Sequence, residues 1–247
     1  MNLNRKKLGS LECVLLDALP AGTRPQLEVV LCHGVNAPGD DLVPLGAEIL
    51  ERNSKLAASV QFCFPAGLID SAAYGMPGGR AWWEIDWGMF EKMMLTGDYS
   101  PLRKAAPPGL KAAREALQSM LDVLRAQTGL ATNRMVLGGF SQGAMLATDL
   151  ALHLSENVGA LCLFSGTLIN ETQWRSLAGA RKGMPVFQSH GRQDPLLPIS
   201  NAEALRDLLI QAGLAVEFLP FNGQHGIPAE ACTRLSNLLG KLSGAAS

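Results

Sequence analysis

Two kinds of apolar pattern alternate along the chain. Compact apolar runs occur at Cys13 to Leu16, Val29 to Cys32, Val60 to Phe64, Met135 to Leu137, Ala160 to Phe164, Pro185 to Gln188 and Ala215 to Leu219. Such runs, bounded by turn residues, predict buried strands. Between most of them the period lengthens: Leu110, Ala113, Leu117, Leu121 and Leu124 recur at steps of three or four, predicting one helix face that ends near Gly129. A second helix is expected from Ser200, with Ser200 and Glu203 as a capping box, Leu205, Leu208 and Leu209 as its buried face and Gly213 as its cap. Pro228 suits the first turn of a last helix carrying Leu235, Leu238 and Leu239. Strands alternating with helices predict an α/β fold, a mostly parallel sheet covered on both faces. Ligands of such sheets bind outside the carboxyl ends of the strands, so the residues that follow each strand carry the functional question.

One segment breaks the rhythm. From Gly67 to Pro107 roughly 40 residues separate a strand from a helix, far more than an ordinary connection. The segment holds Trp82, Trp83, Trp87, Met76, Met89, Met93 and Met94. It reads either as a lid or binding wall over the strand ends or as an accessory patch that packs down.

A chain of 247 residues with 47% apolar composition can bury a full core, and residues 1–247 are expected to form a single domain. Net charge is −1 with 17% charged residues, so the basic field that nucleic acid demands is missing. Arg5-Lys6-Lys7 resembles the start of a secretion signal, but Glu12 and Asp17 interrupt the stretch behind it. The sequence has no apolar run of membrane-spanning length, and the expected location is the cytoplasm. Cys13, Cys32, Cys63, Cys162 and Cys232 are odd in number and lie mostly in strand-like runs, so reduced thiols are expected. Their spacing matches no metal-ligand pattern, and no metal is expected.

The chemistry concentrates where Met135 to Leu137 runs into Gly138-Gly139-Phe140-Ser141-Gln142-Gly143 and then a helical pattern. This is G-x-S-x-G between strand and helix, the nucleophile elbow of α/β-hydrolases, which presents Ser141 at the sheet edge. A serine hydroxyl needs a histidine base and usually a carboxylate to orient it. In this fold the order is Ser, then acid, then His, which excludes His33. His153 lies twelve residues along the next helix, roughly 18 Å away. His190 ends a strand just before Asp194, whereas His225 sits in the loop Gly223-Gln224-His225-Gly226 after the following strand. Order and placement select Asp194 and His225. His190 is then expected as a turn residue bonded beside Asp194, and Asp149, Glu203 and Asp207 as helix-surface charges. The oxyanion donors are expected to be the backbone N–H groups of Gln142 and of Val35, in the loop His33-Gly34-Val35-Asn36. His33 itself is expected to bond its own loop.

At these residues the sequence resembles the phospholipase and carboxylesterase family, which includes acyl-protein thioesterases and small bacterial carboxylesterases. The likeness rests on Cys32-His33-Gly34-Val35 with Asp41-Leu42, Gly139-Phe140-Ser141-Gln142-Gly143, Ser165-Gly166, Ser189-His190-Gly191-Arg192-Gln193-Asp194, Leu197-Pro198 and Gly223-Gln224-His225-Gly226-Ile227-Pro228. The resemblance implies an α/β-hydrolase fold, a Ser141, Asp194, His225 triad with Val35 and Gln142 donors, and no cofactor. It implies a small ester or thioester substrate, with an acyl-lipid among the options. Ala81-Trp82-Trp83-Glu84-Ile85 is similar to a family stretch with a tryptophan beside the substrate groove, which puts Trp82 against substrate. The departures are Asn36 where the family usually has Gly, Ala144 in place of a second Gly, and a longer segment around Tyr74 to Lys92. Two alternatives share the fold: a non-catalytic protein that holds a small apolar ligand, and an acyltransferase or peptidase.

Overall fold

The computed structural model describes residues 1–104 and 106–244. Ten strands are formed among them: β1 (Asn2–Leu8), β2 (Leu11–Asp17), β3 (Leu27–Cys32), β4 (Val60–Pro65), β5 (Ile69–Asp70), β6 (Arg80–Ala81), β7 (Met135–Phe140), β8 (Ala160–Phe164), β9 (Pro185–Gly191) and β10 (Ala215–Phe221). The helices are α1 (Val43–Arg52), α2 (Ser54–Ala57), α3 (Trp87–Thr96), α4 (Ser100–Lys104), α5 (Leu110–Thr128), α6 (Gln142–His153), α7 (Glu171–Ala178), α8 (Ile199–Gln211) and α9 (Ala229–Ser243).

Eight strands make the main sheet in the order β1-β2-β4-β3-β7-β8-β9-β10. From β4 to β10 every pairing is parallel, while β2 pairs antiparallel with both β1 and β4. This is the α/β-hydrolase architecture that the alternating pattern and the elbow lead one to expect. One face buries Leu117, Leu121, Leu146, Leu150, Trp174 and Leu205 of α5 to α8. The other buries Ile49, Leu50, Leu56, Leu235 and Leu239 of α1, α2 and α9. The chain leaves β3 for β4 on one side and returns to β7 on the other, so the order reverses at β3. The carboxyl ends of β3 and β7 therefore flank the crevice where a doubly wound sheet binds its ligand.

Three local expectations change. Polar Asn2–Leu8 forms β1, an edge strand with six exposed residues, held by seven residue pairs to β2. Because it buries almost nothing, it leaves no apolar signature. The Ser200–Glu203 capping box does not form: α8 starts at Ile199 after Pro198, so Ser200 lies inside the first turn, where it is not the capping residue. The long excursion carries β5, β6, α3 and α4 and is pinned at many points. Trp82, Trp83, Met93 and Tyr99 are buried in it, and Trp87, Met89, Met94 and Leu95 are exposed.

Candidate active site

Ser141 stands between β7 and α6 with φ 53° and ψ −116°, a conformation that costs an L residue energy. Two backbone features hold it there. Its N–H donates to Phe164 O at 2.9 Å, tying the elbow to the end of β8, and its carbonyl accepts from Ala144 and Met145 to start α6. Gly143 permits the close approach: a Cβ there would sit 2.1 Å from Cys32 O. Ala144, the departure from the family pattern, is accommodated by its neighbour, since a Cβ on Gly166 would meet Ala144 Cβ at 2.8 Å.

The next two expected residues come together. His225 Nδ1 lies 2.6 Å from Asp194 Oδ2, a charge-assisted hydrogen bond that fixes the imidazole proton on Nδ1. The β9–β10 ladder continues past the strands through Arg192 N–H to Phe221 O and Gln193 N–H to Gly223 O, so the acid loop and the base loop are one unit. Asp194 Oδ1 accepts the Leu196 and Leu197 amides at 2.9 Å each. Burial pushes the Asp194 carboxyl up. Hydrogen bonds from His190, His225 and the Leu197 amide outweigh that and hold it well below the usual carboxylate range.

His190 is the penultimate residue of β9 and fully buried. Its Nε2 donates to Leu197 O at 2.7 Å and lies 3.2 Å from Asp194 Oδ2, which makes it a support for the acid loop. The structure forms no hydrogen bond between Ser141 Oγ and His225 Nε2 among the described residues. The Phe140 ring, one residue before the serine, packs 4.8 Å from the His225 ring.

On the other side of Ser141, Val35 follows β3 in a turn. Asn36 adopts φ 63°, so an Asn fills the left-handed position that the family's Gly suits, and its N–H donates to Arg80 O at 2.8 Å. Among the described residues neither the Val35 N–H nor the Gln142 N–H makes a backbone hydrogen bond. At Gln142 the reason is its place as the first residue of α6.

The expectation that Trp82 lines the groove is not met: it is 1% exposed, and both of its N–H groups are bonded to protein. His33, by contrast, bonds its own surroundings, with Nδ1 donating to Gly34 O at 2.7 Å and Nε2 accepting from the Gly67 amide at 2.9 Å. Burial lowers its pKa to about 4, and the neighbouring Arg80 charge adds to that. Asp149 is no surface charge. Fully buried on α6, it accepts from Arg114 and from the Trp174 indole at 2.8 Å each, joining α5, α6 and α7.

Sequence reasoning gave Ser165 no role of its own. It sits at the end of β8 with φ 48°, its hydroxyl donating to Gly226 O at 2.9 Å and accepting from Gly226 N–H at 3.3 Å. It thereby pins the residue after His225; only the Ser165-Gly166 pair following a strand hinted at it. Tyr99, at the far end of the excursion, feels the acid as well: burial and the Asp194 charge raise its pKa.

The family described as Phospholipase/Carboxylesterase matches residues 19–243. Acyl-protein thioesterase 1 of Eremothecium gossypii is 32% identical over 178 residues, 71% of this chain and 69% of the relative. Acyl-protein thioesterase 1 of Kluyveromyces lactis is 30% identical over 181 residues, 71% of this chain and 73% of that protein. Among solved structures, esterase PE8 superposes with a TM-score of 0.77 at 26% identity, over 98% of this chain and 100% of that one. A carboxylesterase from Mesorhizobium loti shares the fold with a TM-score of 0.72 at 19% identity, over 97% and 99%. The chain belongs to the phospholipase/carboxylesterase family of α/β-hydrolases.

Proposed function

We propose that this protein is a serine hydrolase that cleaves carboxylic esters or thioesters through an acyl-enzyme on Ser141. The observation that carries the reading is the 2.6 Å pairing of His225 Nδ1 with Asp194 Oδ2, in loops that meet at the sheet edge bearing the strained Ser141 elbow. With the proton held on Nδ1, the Nε2 lone pair of His225 is the base. Nε2 takes the Ser141 proton as Oγ attacks the acyl carbonyl, and the negative oxygen accepts from the Val35 and Gln142 N–H groups. Collapse of the tetrahedral intermediate breaks the bond to the leaving oxygen or sulfur, which receives the proton from Nε2. Water, deprotonated by the same nitrogen, then attacks the acyl-serine; collapse of this second intermediate breaks the bond to Ser141 Oγ, which takes the proton back from Nε2, and the carboxylic acid leaves. Hydrogen bonds between nucleophile and base are often loose until substrate is bound, which fits the open Ser141–His225 contact.

Relatives named acyl-protein thioesterase and esterase support both leaving-group classes. We read residues 1–247 as one domain acting on a small acyl ester or thioester, an acyl-lipid included, without a cofactor or nucleic acid. Among the described residues no helix is long and apolar enough to cross a membrane. Five free thiols, four of them buried, support a cytoplasmic location. The test is a panel of esters, thioesters and amides matched in acyl chain, assayed with wild type and Ser141→Ala. Wild type should turn over esters or thioesters and spare amides, and Ser141→Ala should lose about 10⁶-fold. Retention of a hundredth of the activity in Ser141→Ala rejects the reading. Preferred amide cleavage instead favours the peptidase alternative.

A further inference from the structure

We infer that Trp82 is a positioning residue that sets the separation between the two oxyanion donors. The inference rests on Val35 and Gln142 being those donors. They belong to different segments, and the β3–β7 ladder that aligns the segments ends at Cys32 and Gly139. Beyond that point the sheet itself does not fix the loop carrying Val35 relative to the elbow carrying Gln142.

Trp82 joins them. Its backbone N–H donates to Gln142 Oε1 at 2.9 Å and its indole Nε1–H donates to His33 O at 3.0 Å. The other arm of the same amide, Gln142 Nε2, donates to Trp83 O at 2.9 Å, so the side chain of the residue following the nucleophile is held at both ends. The indole also stacks on the His33 imidazole, with centroids 5.2 Å apart and planes at 29°. Val35 is caught from its other side too, because Asn36 N–H donates to Arg80 O and Arg80 N–H donates to Ala37 O, two residues before Trp82.

His33 anchors this assembly as a neutral ring. Its Nε2 lone pair accepts the Gly67 amide, which requires the proton to sit on Nδ1, where it bonds Gly34 O. His33, Trp82, Trp83 and Gln142 are all at most 2% exposed, so water does not compete for these bonds. The excursion therefore acts on the oxyanion hole through its buried tryptophan, whatever its exposed α3 residues contact. Donors must lie within a few tenths of an ångström of the developing oxyanion to be effective, so a loosened brace lowers the rate without removing any donor.

The test uses the full chain and Trp82→Phe, which keeps an aromatic ring and the backbone N–H but deletes the indole bond to His33 O. Competent sites are counted by endpoint titration with a fluorophosphonate, and kcat is expressed per titrated site. The expected loss is about 10- to 100-fold in kcat, with KM within about twofold and the same factor at every acyl length. Affinity for a trifluoromethyl ketone, whose hemiketal oxyanion occupies the hole, should fall by the same factor. A residue that only fills the core would lower Tm and the titrated fraction but leave kcat per site and analogue affinity unchanged, and that result overturns the proposal. A loss that varies with acyl length also overturns it and makes Trp82 a groove wall.

Should Trp82→Phe fail to fold, Gln142→Met replaces it: this uncharged side chain of similar length leaves the backbone N–H of residue 142 in place but loses the Trp82 amide as a strong partner and cannot donate to Trp83 O. The same paired loss of kcat per site and analogue affinity is expected, and wild-type values for both refute the brace. Activity in Ser141→Ala would instead bring down the hydrolase reading itself. A fully titrating Trp82→Phe protein with wild-type kcat removes the positioning role alone.

Discussion

Replacing Asp194 by Asn preserves the shape of the side chain and reverses the hydrogen-bonding sense of one terminal atom. In the wild type Oδ2 receives His225 Nδ1 at 2.6 Å and Oδ1 receives the Leu196 and Leu197 amides. An Asn that keeps its oxygen on the two amides turns its NH₂ toward His225, where Nδ1 must then be the acceptor. The imidazole proton moves to Nε2, the nitrogen that has to receive the Ser141 proton, and the base is lost. An Asn turned the other way sets its NH₂ against two backbone donors and leaves all of them without an acceptor, which in a buried loop costs about 1 to 3 kcal/mol for each group. The first arrangement is favoured because the His190 Nε2–H that it faces keeps Leu197 O as acceptor at 2.7 Å, and the wrong tautomer lowers kcat/KM by about 10⁴-fold. That factor corresponds to about 5 kcal/mol of transition-state stabilisation. Steady-state hydrolysis of a p-nitrophenyl ester, with Tm measured alongside, reads the effect. A loss smaller than tenfold in a protein of unchanged Tm would refute the assignment of Asp194.

Two further substitutions separate architecture from chemistry. Asp149→Asn removes the buried partner of Arg114 and weakens the bond to the Trp174 indole, so a stability loss of about 3 kcal/mol is expected. For a chain of this size that lowers Tm by roughly 6 to 12 °C, read by calorimetry, while kcat per titrated site stays at the wild-type value. Glu28→Gln works through pH: Glu28 is fully buried on β3 with neither carboxylate oxygen bonded, and burial, followed by the Asp17 charge, raises its pKa well above 4.5. Below pH 4.5 both folded and unfolded chains carry the proton. Above it the unfolded chain releases the proton first, so the Glu28 contribution to stability is lost as pH rises. Glu28→Gln should therefore raise Tm over wild type at pH 8 and lose that advantage at pH 4, where equal gains at both values would contradict a buried neutral acid. Comparing the two proteins at each pH cancels His33, whose lowered pKa destabilises the fold in the opposite direction, as pH falls below 6.5.

How much of this was legible in the sequence follows from how each element stabilises itself. Strands buried on both faces, such as β3, β7 and β8, write continuous apolar runs, and α5 writes a three-four stripe closed by Gly129, so all four were readable. A candidate triad could be picked from the sequence because the order of the fold leaves few histidines able to reach Ser141, and the structure pairs two of its members, Asp194 and His225. β1 was silent, since an edge strand held by backbone bonds needs no apolar face. Trp82 was misread for a related reason: the family resemblance set this tryptophan beside the groove, but only coordinates show that its N–H groups bond inward to His33 and Gln142. Asp149 and Ser165 escaped because their partners lie on other elements of the chain, where periodicity carries no information.

The central claim is that Ser141 becomes covalently acylated. Its most direct measurement is intact-protein mass spectrometry after exposure to a fluorophosphonate and, separately, after rapid acid quench of turnover on an activated ester, with peptide mapping of the adduct. The account predicts one phosphonyl or acyl group per chain, on the peptide containing Ser141, and none in Ser141→Ala. Loss of activity to the fluorophosphonate with an unmodified Ser141 peptide, or an adduct on another residue that persists in Ser141→Ala, would contradict it.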